Sequence, residues 1–262
     1  MTKVELGDVS LNYTEDGDPN GQPVVFAHAL GTSLALWDEV VSRLPKNLRL
    51  IRYDIRGHGH SDCPAPPYSM GALIRDAERL LDFLKVRDCV FVGISIGCMI
   101  AQGLAIKRLD QIRALVLVNT AAKIGHAPHW DALIDRVQQN GISDLCETTM
   151  QGWFTKDWLT SNRVTPWREQ FETTPQDAIL GALHAVKGTD FYTPTSGLRL
   201  PTLGIAGSED RTIPPDLTRE TVDLIPGSAF RIIRRSGHLP CVDQPTAFAT
   251  HLTEFLDATG HI

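Results

Sequence analysis

A chain of 262 residues, 42% hydrophobic and 21% charged, is long enough to bury one large core, or a core with an inserted subdomain, and lacks the composition of a disordered polymer. Its net charge of −6, with no basic stripe, argues against nucleic acid as a partner. No run of 18 apolar residues is present to span a membrane, Met1–Gly7 lacks the apolar stretch of a signal peptide, and Cys63, Cys89, Cys98, Cys146 and Cys241 form no C-x-x-C pair. The expectation is a cytoplasmic protein with reduced thiols, no metal, no cofactor and no membrane partner.

The chain opens with two short alternating segments, Val4–Leu6 and Val9–Tyr13, followed by the turn-forming stretch Asp16–Gly21; this pattern predicts an edge hairpin. Four apolar runs follow, Pro23–Ala27, Leu48–Tyr53, Cys89–Ile94 and Ile112–Val118. They are too uniformly apolar for strands with one wet face and read as buried parallel strands. Between them Leu36–Leu44, Met70–Leu84 and Ile96–Lys107 have helical spacing; the second carries Leu73, Ala77, Leu80, Leu81 and Leu84 on one stripe. The alternation predicts an α/β fold, a mostly parallel sheet with helices on both faces.

From about Lys123 to Thr195 the rhythm breaks. This stretch holds Trp130, Trp153, Trp158 and Trp167, lacks β-rich runs, and has helical spacing over Asp131–Gln139 and Gln176–Val186. It reads as a helical cap (residues 123–195) inserted into a core domain made of residues 1–122 and 196–262. The core then resumes with strands Thr202–Ala206 and Phe230–Ile233 and helices Pro215–Leu224 and Thr246–Leu256.

Gly93-Ile94-Ser95-Ile96-Gly97 joins a buried strand to a helix. A G-x-S-x-G turn in that context lifts a serine hydroxyl out at the carboxyl end of the sheet, where open parallel sheets place their sites. A plain helix N-cap serine is the alternative reading. A serine needs a base to take its proton, and in this arrangement the chain order is serine, acid, histidine. Of the late histidines, His251 falls inside the last helix and His261 at the chain end, so His238, in the loop after Phe230–Ile233, is the candidate base. Asp210, in the loop after Thr202–Ala206, is the candidate acid, with Glu209 its rival; Asn119-Thr120-Ala121, after the preceding strand, offers no carboxylate. The oxyanion donors are expected to be the backbone N–H groups of Ile96 and Leu30. Trp130 and Trp153 either line the substrate pocket or form the cap's own small core. The dense turn Asp54–Ser61, with its two histidines, reads as structural, and His126 and His129 as loop surface. Cys98 reads as a packed small residue.

Together these residues resemble the α/β-hydrolase superfamily, and within it the 3-oxoadipate enol-lactonases. The nearer resemblance is carried by Ala29-Leu30-Gly31-Thr32 with Trp37-Asp38, by Arg52–Ser61, by Gly152-Trp153-Phe154-Thr155, and by His238 with Asp243-Gln244-Pro245. The chain departs from that family at Ile96 and Cys98, where Met and Gly are usual, and in the loop Ala27-His28-Ala29-Leu30-Gly31, which is nearer to general esterases; His28 reads as structural. The resemblance implies opening of an enol-lactone through an acyl-enzyme on Ser95. The small-molecule substrate would then carry a carboxylate, for which Arg136, Arg163 and Arg168 of the cap are candidate partners. Another carboxylesterase or carbon–carbon bond hydrolase, or a ligand receptor built on this fold, are the alternatives.

Overall fold

A computed structural model describes residues 2–262. Eight strands, β1 (Thr2–Glu5), β2 (Ser10–Gly17), β3 (Gln22–Ala27), β4 (Leu48–Tyr53), β5 (Cys89–Ile94), β6 (Ile112–Val118), β7 (Thr202–Gly207) and β8 (Ala229–Ile233), form one sheet in the order β1-β2-β4-β3-β5-β6-β7-β8. β1 with β2 and β2 with β4 are antiparallel; every later pairing is parallel. β2 continues through Asp16 and Gly17, which pair with Leu50 and Arg49, so the expected turn begins only at Asp18. The gain of ladder hydrogen bonds to β4 outweighs the turn preference of those two residues.

Alternation along the strands feeds two cores. In β3, Val24 and Phe26 face one side and Val25 and Ala27 the other; in β5, Val90 and Val92 oppose Cys89 and Phe91. Helices α1 (Asp38–Val41), α2 (Met70–Phe83) and α3 (Ile96–Lys107) follow the first strands. α2 and α3 cover the Val25 face through Leu73, Leu80 and Met99. The expected helix over Leu36–Leu44 is instead a 3-10 turn, Leu34–Trp37, running into α1.

Between β6 and β7 lie six helices: α4 (Ala127–Asn140), α5 (Ser143–Trp153), α6 (Lys156–Leu159), α7 (Thr165–Thr173), α8 (Gln176–Lys187) and α9 (Tyr192–Ser196). α4 begins four residues before the expected Asp131. The His126 ring nitrogen accepts from His129 N–H at 3.3 Å, and Pro128 sits in the first turn, so these residues start a helix rather than remain loop. α5 and α7 carry too few apolar residues in a regular stripe to stand out in the sequence; Cys146, Met150 and Trp153 of α5 and Phe171 of α7 are buried all the same. The chain closes with α10 (Pro215–Asp223), α11 (Pro240–Asp243) and α12 (Pro245–Ala258); α12 covers the Val24 face through Phe248, Leu252 and Leu256. Among the described residues no helix is long and apolar enough to cross a membrane.

Candidate active site

Ser95 follows β5 directly and caps α3 with φ 55° and ψ −118°, a conformation that residues other than glycine rarely adopt. Its neighbours must approach closely for the turn to close. A Cβ on Gly93 would stand 2.5 Å from the Gly97 carbonyl carbon, and one on Gly97 2.8 Å from the Ala27 carbonyl carbon. Surrounding hydrogen bonds hold the strained turn: Ser95 N–H donates to Val118 O at 3.0 Å, and Thr120 Oγ1 donates to Ser95 O at 3.2 Å. Cys98 does more than pack. Its thiol donates to Gly93 O at 2.8 Å and accepts from Val118 N–H at 3.0 Å, and burial pushes its pKa well up.

His238 and Asp210, 28 residues apart in the chain, are joined by a 2.8 Å hydrogen bond from Nδ1 to Oδ2 with both side chains buried. The other Asp210 oxygen accepts from Thr212 N–H at 2.8 Å and Ile213 N–H at 3.0 Å, so the carboxylate is held from both ends. Glu209, by contrast, is exposed. His251 bonds Glu254 within α12, and His261 Nε2 bonds Pro23 O at 3.0 Å, so neither histidine meets Asp210.

The loop after β3 is organised by His28. Its Nε2 accepts from Ile55 N–H at 2.9 Å, which assigns the ring proton to Nδ1, and Nδ1–H donates to Ala29 O at 2.8 Å. Thr32 Oγ1 also donates to Ala29 O, at 2.7 Å. With that carbonyl drawn into the buried side, the trans peptide directs the Leu30 N–H the opposite way. Burial holds His28 below the ordinary histidine pKa, so the ring stays neutral. Ile96 opens α3, where first-turn N–H groups lack helical partners and the helix dipole favours negative charge.

Leu30, Ser95, Ile96 and His238 line one cavity of about 370 Å³. Leu133, Leu145, Phe171, Ile179 and Leu183 form much of its opposite wall. Trp130 and Trp153 line it too, and each also packs locally: Trp130 Nε1 donates to Ile124 O at 2.7 Å, and Trp153 meets Phe171 edge-on at 5.7 Å.

A model of the alpha/beta hydrolase family matches residues 24–251. The chain belongs to this family. It is 30% identical to 3-oxoadipate enol-lactonase 2 of Acinetobacter baylyi over 92% of this chain and 91% of that one. It is 25% identical to a pimeloyl-[acyl-carrier protein] methyl ester esterase of Vibrio vulnificus, over 90% of this chain and 94% of that one. Among solved structures, the enol-lactonase from Burkholderia xenovorans LB400 superposes with a TM-score of 0.93 at 30% identity, covering 98% of this chain and all of that one, 100%.

Three features of this α/β hydrolase were not apparent from its sequence. Asn119, after β6, holds the loop that presents the histidine: its Nδ2 donates to His238 O at 2.8 Å and Gly237 O at 3.1 Å, while its Oδ1 accepts from Gly207 N–H at 3.0 Å. Asp243 grips the same loop through Ser236 Oγ and Gly237 N–H, both at 2.7 Å. His238 N–H donates to Trp153 O at 2.7 Å, tying α5 to the candidate base. A motif scan sees residue types and spacings, whereas these contacts depend on how the folded chain places a side chain or carbonyl against the backbone or side chains of one loop.

None of the three cap arginines offered as candidate partners of a substrate carboxylate lines the cavity. Arg136 Nη2 donates to Asp144 O at 2.6 Å, Arg163 lies 4.5 Å over the Trp158 ring, and Arg168 pairs with Glu147 at 2.9 Å. Each is drawn to a partner on its own or a neighbouring helix, away from the cavity. In the Asp54–Ser61 turn, the Asp54 carboxylate accepts from Asn12 Nδ2 and Leu34 N–H at 2.7 Å and from His60 N–H at 2.9 Å, a structural role.

Proposed function

We propose that this α/β hydrolase opens an enol-lactone, with 3-oxoadipate enol-lactone as the substrate its relatives suggest, through an acyl-enzyme on Ser95. The observation that carries the reading is the buried 2.8 Å bond between His238 Nδ1 and Asp210 Oδ2, with His238 and Ser95 on one cavity wall. Asp210 holds the imidazole in the tautomer that leaves Nε2 free to take a proton and stabilises the imidazolium that forms. As Ser95 Oγ attacks the ring carbonyl, its proton passes to His238, and the oxygen that becomes negative is received by the N–H groups of Leu30 and Ile96. The ring C–O bond breaks and the enol oxygen leaves, receiving the proton held on His238, which returns to the neutral base; an enolate needs less of this assistance than an alkoxide. Water, deprotonated by His238, then attacks the acyl carbon; the C–Oγ bond breaks and His238 returns that proton to Ser95 Oγ as the acid is released. The helices between β6 and β7 act as a cap that shapes the acyl pocket and limits access of bulk water.

The lactone reading draws on the 30% identity to an enol-lactonase over 92% of the chain. Ser95→Ala should abolish hydrolysis of enol-lactone and p-nitrophenyl acetate alike, with an unchanged circular dichroism spectrum. Retained turnover of either by the variant would reject the acyl-enzyme. Wild type that cleaves p-nitrophenyl acetate but leaves the enol-lactone intact would reject the substrate and keep the mechanism, leaving a general carboxylesterase.

A further inference from the structure

The cavity wall contains one charge that none of the steps above uses. Arg211 follows Asp210 directly and lines the cavity together with Thr212 and Ile213. Among the described residues it is the only Lys or Arg on that wall, and no Asp or Glu lines it. Its side chain is exposed and, among the described residues, makes no ion pair within 4.0 Å. Most arginines with a nearby carboxylate in this acidic chain are paired, as Arg136, Arg168 and Arg113 are. An unpaired guanidinium at the edge of a mainly apolar cavity is available to a ligand.

The backbone under Arg211 is fixed by the candidate catalytic acid itself. Because Asp210 Oδ1 accepts from Thr212 and Ile213 N–H, the loop is clamped on both sides of residue 211. Two imidazoles also line the cavity, His238, which Asp210 holds at 2.8 Å, and His129, which lies edge-on to Trp130 at 5.0 Å; neither ring offers the planar fork by which a guanidinium matches a carboxylate.

We propose that Arg211 forms a carboxylate-binding subsite of this cavity, and that the preferred substrates are esters or lactones carrying a free carboxylate a few carbons from the reacting carbonyl. The subsite rests on the hydrolase reading above and assigns to a core loop the role for which the cap arginines were candidates. Burying an anion against apolar walls is costly unless a cation meets it, so the subsite selects by charge rather than by shape. In a chain of net charge −6, this local cation also offsets long-range repulsion of an anionic substrate.

The test compares mono-p-nitrophenyl glutarate with p-nitrophenyl pentanoate, which share a leaving group and differ in the terminal carboxylate. Wild type should favour the anionic ester, and the preference should shrink as salt is raised. Arg211→Met should lower the ratio of the two kcat/KM values by about tenfold to a hundredfold, mostly through KM of the anionic ester. Arg211→Lys should retain part of the preference. Because the readout is a ratio within one variant, general damage to the neighbouring Asp210 cancels. A wild type without preference for the anionic ester, or an Arg211→Met variant with an unchanged ratio, overturns the subsite while leaving the Ser95 chemistry intact; an enzyme that keeps the preference but leaves enol-lactone unopened overturns only the lactone.

Discussion

The two walls of the cavity are built on opposite principles. On the sheet side, Ser95, His238, Asp210 and the Ala29–Leu30 peptide are each held by hydrogen bonds to backbone or buried polar groups. On the helical side, Leu133, Leu145, Trp153, Phe171 and Leu183 present side chains that pack on one another. Directional bonds fix positions to fractions of an ångström, as bond making requires; dispersion and hydrophobic contact fill volume and tolerate substitution of similar size. On the proposed reading the first wall sets the reaction rate and the second the size and shape of substrate admitted, with Trp153 O on His238 N–H as the direct link between them.

The largest effect expected on the sheet side is that of Asp210→Asn. It keeps the shape but reverses the hydrogen-bonding sense at Nδ1, and kcat should fall by about 10⁴ with KM little changed. A loss of less than tenfold, measured under saturating substrate, would mean that another group orients His238.

Asn119→Ala leaves Gly207 N–H and the Gly237 and His238 carbonyls without their partner, all in the interior. Unfolding in urea should show a loss of about 4 kcal/mol, and kcat should fall as the histidine loop loosens. A stable variant with full kcat would show that Asp243 and the Trp153 carbonyl position the loop without Asn119.

Trp153→Ala removes side-chain contacts with Phe154 and Phe171 but keeps the backbone carbonyl that meets His238. Stability should fall by roughly 3–5 kcal/mol. KM for a bulky ester should rise more than kcat for a small one falls. Equal loss of kcat on large and small esters would break the division between the walls.

The smallest effect concerns Asp243 and pH. Burial raises its carboxyl to about 6, against hydrogen bonds from Ser236 and Gly237 that lower it. The folded chain therefore holds this proton more tightly than the unfolded chain, whose carboxyl titrates near 3.8. That contribution to stability is complete below the unfolded value and is lost as pH rises through about 6, on the order of 3 kcal/mol. The stability of the wild type relative to Asp243→Asn should decline between pH 4 and pH 7 in urea titrations. A difference independent of pH would place the Asp243 carboxyl at an ordinary value.

Legibility in the sequence followed the range of the interaction. The parallel strands were readable because burial on both faces leaves a near-continuous apolar run, as in Cys89–Ile94. The Ser95 turn was readable because two glycines must flank it where backbones nearly touch. α5 and α7 were not, because their buried residues are few and answer to neighbouring helices rather than to a regular stripe. Whether any cap arginine faces the cavity was not legible for the same reason: composition shows that a cation is present, not which way its helix turns it.

What the sequence by itself determined is the alternation of strands and helices in the core outside residues 123–195 and the residue types able to do the chemistry, since both follow from local steric and hydrophobic rules. The tertiary structure alone decided that Asn119 grips the histidine loop, that His28 turns the Ala29–Leu30 peptide, and that Arg211 rather than a cap arginine lines the cavity. Those outcomes depend on which distant backbone atoms and helix faces come within about 3 Å of one another, a distance set by packing of the whole chain and written in no short stretch of it.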